Sequence, residues 1–146
     1  MKNFGNYELS GRMKYEANTT LPHQFTEQQY DPWDVSSTGH GHTFNIEIKD
    51  RDIEYTKYES EGYWLEKTKY DALMEAYRTT GSIPIYLNFF RGGIGFYWDL
   101  REINPTWVSR LATKSTADGS YGEEKVWKTV TFVFPKDGNK IRYRYE

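Results

Sequence analysis

Residues 34–49 carry the strongest structural signal in the sequence, because two alternating segments flank a short glycine-containing turn. In the longer segment, residues 44–49, apolar and polar residues alternate strictly, which is the period of a strand with one buried face. A shorter alternating segment precedes the turn. If the chain reverses at residues 40–41, the two segments form a hairpin in which Asp34 lies opposite Glu47.

This pairing brings two carboxylates together on one face of the hairpin. Directly opposed residues of an antiparallel pair have Cβ atoms about 5 Å apart, and like charges at that distance destabilise a sheet. A divalent cation would offset the repulsion, and oxygen ligands suit a hard ion such as Mg²⁺ or Mn²⁺. Lys49 lies on the same face as Glu47, roughly 7 Å further along the strand. The pattern predicts a cluster of two acids and a lysine around a metal ion.

Asp34, followed after twelve residues by Glu47, Ile48 and Lys49, resembles the core motif of the PD-(D/E)XK nuclease superfamily, which has the restriction-endonuclease-like fold. The resemblance implies that Asp34 and Glu47 hold Mg²⁺ or Mn²⁺, with the Ile48 carbonyl as an additional ligand. It also implies that Lys49 orients or helps to activate a water and stabilises negative charge in the transition state.

Two choices of metal ligand stay open in the sequence. Asp31 is an alternative to Asp34, although it precedes a proline and therefore suits a turn. In the superfamily, a glutamate of the first helix often completes the metal site. By its distance before Asp34, Glu8 resembles that residue more than Glu16 does.

The order of the elements predicts an α+β, restriction-endonuclease-like fold with a central mixed sheet, a β-meander that carries the site, flanking helices and an extra C-terminal hairpin. The first helix is expected over residues 6–17, and the second begins at a capping box at Thr68 and ends at Gly81. Strands are expected at residues 20–28, 44–49, 83–90 and 94–100. The C-terminal part is expected to contain a helical turn at 104–111, a mobile loop at 112–125 and a hairpin between residues 126–134 and 140–145.

Five basic residues are candidate contacts to the DNA backbone: Arg51, Lys67, Lys69, Arg142 and Arg144. Each has an alternative interpretation. Arg51 could form a salt bridge to Asp50 or Asp52, the two lysines could be plain surface charge, and the two C-terminal arginines could protect an exposed edge strand from pairing.

Length and charge limit the possible functions. A chain of 146 residues is expected to form one nuclease-like domain over residues 1–146. The net charge of −2 argues against an extended nucleic-acid binder, but a compact enzyme can hold DNA through a local basic patch. The absence of cysteine, of an N-terminal leader and of a long apolar run predicts a cytoplasmic protein without a membrane partner, in the host cytoplasm if a phage encodes it.

The sequence therefore predicts a Mg²⁺-dependent deoxyribonuclease that acts in recombination, repair or processing of phage or mobile-element DNA. A homodimer would suit cleavage of both strands. Two other functions are compatible with the sequence. One is an inactive nucleic-acid-binding or partner-binding module on the same fold, and the other is an aromatic-rich β binding domain, since aromatic residues make up 18% of the chain.

Overall fold

A computed structural model describes residues 6–19, 21–27, 32–115 and 121–144, with side chains described at residues 10–19, 21–27, 32–113 and 125–144. The helices and strands of the described residues are, in chain order, α1 (Asn6–Asn18), β1 (His23–Phe25), β2 (Val35–Gly39), β3 (His42–Asp50), β4 (Tyr63–Glu66), α2 (Lys67–Thr80), β5 (Ile83–Phe90), β6 (Ile94–Asp99), β7 (Val108–Ser115), β8 (Tyr121–Val133) and β9 (Asn139–Arg142). This mixture of helices and sheets confirms the expected α+β class.

Six strands form the main sheet in the order β1, β2, β3, β5, β6, β9. Strands β3 and β5 are parallel, and the other neighbouring pairs are antiparallel. A parallel pair needs a long crossover connection, which β4 and α2 supply here. The sheet is therefore the expected mixed sheet, and β1, β2 and β3 are its antiparallel meander.

The hairpin of β2 and β3 has the register that the sequence predicts. The chain reverses at residues 40–41, and Ser36 pairs with Asn45. The Ser36 hydroxyl donates a hydrogen bond of 2.7 Å to the Asn45 side chain, so both side chains lie on one face. Continuing the same register brings Asp34, just before β2, level with Glu47.

The two faces of the main sheet are covered by different elements. On one face, Tyr15 of α1 packs in a cluster with Val35, Ile46, Ile48, Ile83, Ile85, Leu87, Phe89 and Tyr143. The opposite face is covered by α2 and by a second sheet with the order β4, β8, β7. Its cluster includes Leu65, Leu73, Tyr86, Phe90, Trp98 and Val133. Every residue of β5 is buried, because both faces of this central strand are covered.

Gly11 explains how α1 packs so closely on the sheet. A glycine inside a helix costs about 1 kcal/mol relative to alanine. Here a Cβ at position 11 would lie 2.9 Å from Cγ2 of Ile48. The missing side chain therefore allows the helix backbone to approach β3 at the level of the predicted site.

The expected second helix is confirmed at its C-terminal end and wrong at its start. Gly81 ends α2 in a left-handed conformation with φ of 77°. The helix begins at Lys67 rather than after Thr68, and the residue that precedes it, Glu66, forms no capping hydrogen bond with its side chain. Neither helix of the described residues has the length and apolar content that a membrane span needs.

The expected helical turn at residues 104–111 and mobile loop at 112–125 are wrong wherever the structure describes them. Residues 103–107 are not helical, and β7 and β8 form a long antiparallel ribbon instead, with residues 116–120 outside the described part. Part of this ribbon stands clear of the core, so its strands lack the buried apolar face from which a strand is recognised in a sequence.

The expected C-terminal hairpin is also wrong in its pairing. Strand β8 pairs with β4 and β7, whereas β9 pairs with β6 at the edge of the main sheet. A short helical turn at Pro135–Asp137 carries the chain from one sheet to the other. The indole N–H of Trp98 donates to the Phe134 carbonyl at 3.0 Å and fixes this crossing.

Two glycines with positive φ provide a test of the packing. At Gly62 (φ 91°) a Cβ would lie 2.9 Å from Phe132 and from Phe134, whereas at Gly81 (φ 77°) nothing lies within 4 Å. We expect Gly81→Ala to lower the free energy of unfolding by about 1 kcal/mol through backbone strain alone. Gly62→Ala adds overpacking and should cost about 2–4 kcal/mol. Urea unfolding followed by circular dichroism measures both, and equal losses would contradict the packing around Gly62.

Candidate active site

Strand β3 presents Glu47 and Lys49 on one face, as the alternation predicts. Their register partners in the parallel strand β5 are Tyr86 and Asn88. Tyr86 belongs to the cluster under α2 and the second sheet, so Glu47 and Lys49 point to that side of the main sheet. Glu47 is only 4% exposed. A carboxylate is thus buried between the main sheet and the layer above it.

The Asp34 carboxylate is held by two different donors. Its Oδ2 atom accepts a hydrogen bond of 2.7 Å from the Ile48 backbone N–H. Its Oδ1 atom lies 3.1 Å from Nη2 of Arg12, and the Arg12 Nε donates to the same oxygen at 3.2 Å. Both side chains of this ion pair are buried, at 9% and 5% exposure. Asp34 is therefore fixed in orientation, and Arg12 balances its charge.

Thr26 connects this ion pair to the meander. Arg12 donates to the Thr26 carbonyl at 2.7 Å and to the Thr26 hydroxyl at 2.9 Å. The Thr26 hydroxyl interacts in turn with the Trp33 carbonyl at 2.7 Å. Arginine suits this position because its planar group offers several donors in fixed directions.

The environment of Glu47 is less favourable to a charged carboxylate than that of Asp34. Burial raises the pKa of Glu47 well above its ordinary value, and the nearby Asp34 carboxylate raises it further. Lys49 and Lys69 act in the opposite direction, and the Lys69 Nζ lies 3.9 Å from a Glu47 carboxylate oxygen. The expected meeting of Asp34, Glu47 and Lys49 is therefore present in the structure.

Lys49 interacts with two glutamates, Glu47 of β3 and Glu66 at the end of β4. Burial acts to lower the pKa of Lys49, but Glu47, Tyr86 and Glu66 outweigh it and raise that pKa above its ordinary value. For Glu66, burial acts to raise the pKa, whereas Lys49, Lys128 and Lys69 bring it below its ordinary value. The Lys128 Nζ of β8 lies 3.2 Å from a Glu66 oxygen. The site is thus an alternating set of charges that joins both sheets.

The two lysines predicted at the start of α2 have different surroundings. Lys69 is mostly buried and lies beside Glu47, so it is part of the site itself. Lys67 is 43% exposed, pairs with Asp71 at 2.6 Å, and its Nζ lies 5.6 Å from the centre of the Trp107 ring. Lys67 therefore lies at the solvent-exposed rim of the site and outside the buried cluster of Glu47, Lys49 and Lys69.

Arg51 points into the protein instead of towards solvent. Its guanidinium donates to the Asn88 side chain, the Trp64 carbonyl and the Tyr86 hydroxyl at 2.8, 2.9 and 2.8 Å. Neither the predicted contact to DNA nor the alternative salt bridge to Asp50 or Asp52 anticipates these hydrogen bonds inside the protein. The cause is the layer formed by β4, which the alternation of β3 does not reveal.

Arg142 and Arg144 lie at the far edge of the main sheet. Strand β9 is three strands away from β3, or roughly 14 Å at the usual spacing. Both arginine side chains are exposed. The backbone N–H and carbonyl of Arg144 bond to the Asn18 side chain of α1. These two arginines are therefore separate from the acid and lysine cluster.

The other candidate metal ligands are Glu16, Glu8 and Asp31. Glu16 pairs with His23 at the surface, so it does not join the site. The side chain of Glu8 lies outside the described part of α1, and Asp31 lies outside the described residues. Among the described side chains, no group of three or more Asp, Glu and His residues could hold a metal ion.

The sequence prediction does not include the roles of three residues of the site, namely Arg12, Lys128 and Glu66. Arg12, the ion-pair partner of Asp34, has no part in that prediction. Lys128 lies far along the chain and reaches the site only because β8 pairs with β4. Glu66 precedes the helix and carries no sequence signal beyond that position. The position of Arg12 three residues before Tyr15, on one face of the expected first helix, is the pattern that could have indicated it.

The raised pKa of Glu47 predicts a pH-dependent stability. In the unfolded chain the carboxyl titrates near its ordinary value of about 4.3, so the folded, metal-free protein binds this proton more tightly. This contribution to stability is complete below about pH 4 and is lost as the pH rises through the folded pKa. In EDTA, we expect Glu47→Gln to be more stable than the wild type at about pH 8 by ~1–3 kcal/mol, with no difference near pH 4.

Urea unfolding across this pH range measures the effect, and Glu75→Gln is the matched control, because Glu75 is 64% exposed and pairs with Arg78 on the surface of α2. A stability gain of the same size in both variants, or one that does not change with pH, would refute the assignment to the buried carboxyl.

The Arg12 and Asp34 pair predicts a strong double-mutant coupling. Arg12→Met leaves the Asp34 carboxylate buried without its ion-pair partner, which should cost about 3–5 kcal/mol of unfolding free energy. Adding Asp34→Asn removes the unpaired charge, so the double variant should be more stable than Arg12→Met alone. Thermal and urea unfolding of the four proteins give the coupling energy. A strictly additive result would show that the pair does not act as a unit.

Comparison with known proteins supports the fold. No protein-family model matches the chain, and no curated protein matches it. Among solved structures, the chain is similar to Hjc, a Holliday junction resolvase of the archaeal hyperthermophile Archaeoglobus fulgidus. The TM-score is 0.52 and the sequence identity is 11%, over 88% of this chain and 89% of the resolvase chain. At this identity the likeness shows the fold and not the activity. The chain therefore has the restriction-endonuclease-like fold.

Proposed function

We propose that this protein is a divalent-metal-dependent nuclease that hydrolyses DNA phosphodiester bonds. The observation that carries the proposal is the meeting of Asp34, Glu47 and Lys49 between the main sheet and α2. The likeness of the fold to a Holliday junction resolvase supports the same function, because that protein is a DNA enzyme by its name.

The donor set suits Mg²⁺ or Mn²⁺. Magnesium is typically bound through one or two carboxylates together with substrate phosphates, so a third acid is not required. Asp34 and Glu47 would hold the ion with the Ile48 carbonyl, and a cation there would offset the burial of Glu47 and its repulsion by Asp34, the two causes that raise the pKa of Glu47. Asp34 retains lone pairs after its bonds to Arg12 and Ile48. A bound divalent ion would supply Lewis-acid polarisation of the scissile phosphate.

The residues of this chain would position the substrate and stabilise charge. Arg12 and the Ile48 N–H fix the Asp34 carboxylate in one orientation. The Lys49 ammonium, placed beside Glu47 and Glu66, would donate to the phosphate as its negative charge develops. Lys69 is the second ammonium next to Glu47 and would bind a phosphate oxygen in the same way. Lys67, at the rim, would contact the neighbouring phosphate.

The wider biological setting belongs to the same proposal. We place the activity in recombination, repair or processing of phage or mobile-element DNA, in the cytoplasm, by one domain over residues 1–146 that works as a homodimer on branched or duplex DNA. A dimer would present two such sites to the two strands of its substrate.

Cleavage assays test the function directly. We expect the wild type to cut plasmid, single-stranded DNA or a four-way junction with Mg²⁺ or Mn²⁺ and not with EDTA. Glu47→Gln and Lys49→Met should each lower the rate by about 100-fold or more, because the first removes a proposed metal ligand and the second removes the ammonium proposed to face the reacting phosphate. Matched controls are Glu75→Gln and Lys57→Met, two exposed positions, which should stay within about twofold of the wild type.

A second measurement tests the metal without reference to activity. Added Ca²⁺ or Mn²⁺ should raise the melting temperature of the wild type and leave Glu47→Gln unchanged, since binding to the folded state alone stabilises it. If neither ion shifts the wild type and no DNA is cut, the nuclease proposal is wrong.

A catalytically inactive DNA-binding module is the second candidate. It is favoured by one observation, namely that both oxygens of Asp34 already bond to protein donors. This candidate predicts DNA binding that survives Glu47→Gln and Lys49→Met, with the DNA intact under every metal tested.

A further inference from the structure

The ribbon of β7 and β8 begins at the active site. Strand β4 pairs with residues 130–133 of β8, and its last residue, Glu66, pairs with Val130. Over residues 121–129, β8 has β7 as its only strand neighbour among the described residues. The ion pair of Glu66 with Lys128 lies at this junction. The ribbon is therefore connected directly to the cluster of charges at the site.

The two faces of the ribbon carry different residues. Side chains that are directly opposed in the register share a face, as do side chains two positions apart along one strand. Arg110 and its register partner Lys128 therefore lie on one face, which we call the site face. Two contacts agree with this placement, because Lys128 bonds to Glu66 and the Arg110 guanidinium lies 5.6 Å from the centre of the Phe132 ring. The opposite face carries Leu111, Thr113, Lys125 and Trp127.

Two cations are directly opposed on the site face. Opposed residues of an antiparallel pair have Cβ atoms about 5 Å apart, and like charges at that distance destabilise a sheet. Lys128 is balanced by Glu66 at 3.2 Å. Arg110 is exposed and has no acidic partner among the described side chains, and its Nη1 donates to the Ser109 carbonyl at 3.0 Å. An anion bound between the two cations would remove their repulsion.

These cations continue the positive charge of the site. Glu66, the partner of Lys128, also interacts with Lys49 and Lys69. Lys128 is two positions before the register partner of Glu66, or roughly 7 Å along β8, and Arg110 is on the next strand, about 5 Å further. The positive charge therefore extends from the buried lysines onto the surface of the ribbon. A polyanion with regularly repeated charges matches this arrangement, whereas a second copy packed on the same face would bring like cations together.

We propose that the site face of the ribbon binds the DNA backbone next to the scissile phosphate, with Arg110 and Lys128 on neighbouring phosphates. This inference rests on the proposed nuclease function and specifies its substrate class, namely a DNA chain that continues past the cut towards the ribbon. A guanidinium suits this contact, because its parallel N–H groups fit two oxygens of one phosphate. Contacts to phosphate carry no base information, so the gain in affinity is equal for different sequences.

The test measures DNA binding as a function of salt concentration. Two labelled duplexes of equal length and unrelated sequence are titrated by fluorescence anisotropy, with Ca²⁺ in place of Mg²⁺ so that binding is read apart from cleavage. We expect Arg110→Gln to weaken binding to both duplexes about three- to tenfold near 0.1 M salt, and to lower the slope of log K against log salt by about 1. Arg110→Lys should keep the wild-type slope, because it keeps the charge.

Matched controls come from the opposite face of the same ribbon. Lys125→Gln removes one exposed cation there, and Trp127→Ala removes an indole that is 72% exposed. Both variants should bind the two duplexes within about twofold of the wild type and with the wild-type salt slope. Circular dichroism confirms that each variant is folded.

Wild-type affinity and slope in Arg110→Gln would overturn the inference, and so would equal losses in Arg110→Gln and Lys125→Gln, because the face would then have no part in binding. A wild-type dimer that Arg110→Gln converts to a monomer in sedimentation, with DNA binding unchanged, would identify the face as an interface between copies. Binding that depends on Arg110 but is never followed by cleavage would support the site face and reject the nuclease function alone. Cleavage by a wild type whose binding does not depend on Arg110 would reject the site face alone.

Discussion

One buried carboxylate connects most of the elements around the site. Asp34 lies immediately before β2. Its side chain accepts a hydrogen bond from the Ile48 N–H, just beyond the last paired residues of β2 and β3. Through Arg12 it also binds α1, and through Arg12 and Thr26 it binds β1. An ion pair buried this deeply is worth little as net stability, because desolvation offsets most of the attraction. Its effect is to fix where three elements meet.

This arrangement leaves the two acids of the site with different electrostatic environments. Asp34 has a permanent cation in Arg12, whereas the cations that act on Glu47 among the described residues are the ammonium groups of Lys49 and Lys69. Those ammonium groups are also close to Glu66, which binds Lys128. In the proposed nuclease, these charges would rearrange around Glu47 when an ion or a phosphate binds, while Arg12 keeps Asp34 in place. Asp34 would then be a rigid ligand and Glu47 an adaptable one.

The sequence predicts the parts of this fold in which local pattern and burial agree. The register of β2 with β3, the extent of β5 and the end of α2 at Gly81 all follow from residues close together in the chain. The prediction fails where a distant layer decides the outcome. Arg51 is drawn inward by β4, and β8 and β9 separate into different sheets although a short turn connects them. No local periodicity encodes a partner that lies far away in sequence.

The C-terminal end of α1 contacts the last described residue of the chain, Arg144. Asn18 at the end of α1 bonds to the backbone of Arg144, 126 positions later, and Tyr143 packs in the cluster that α1 covers. The cost of closing so long a loop must be met before these contacts form. Folding is therefore expected to be slow compared with a helical bundle of equal length, with the α1 face of the sheet among the last regions to become protected from hydrogen exchange.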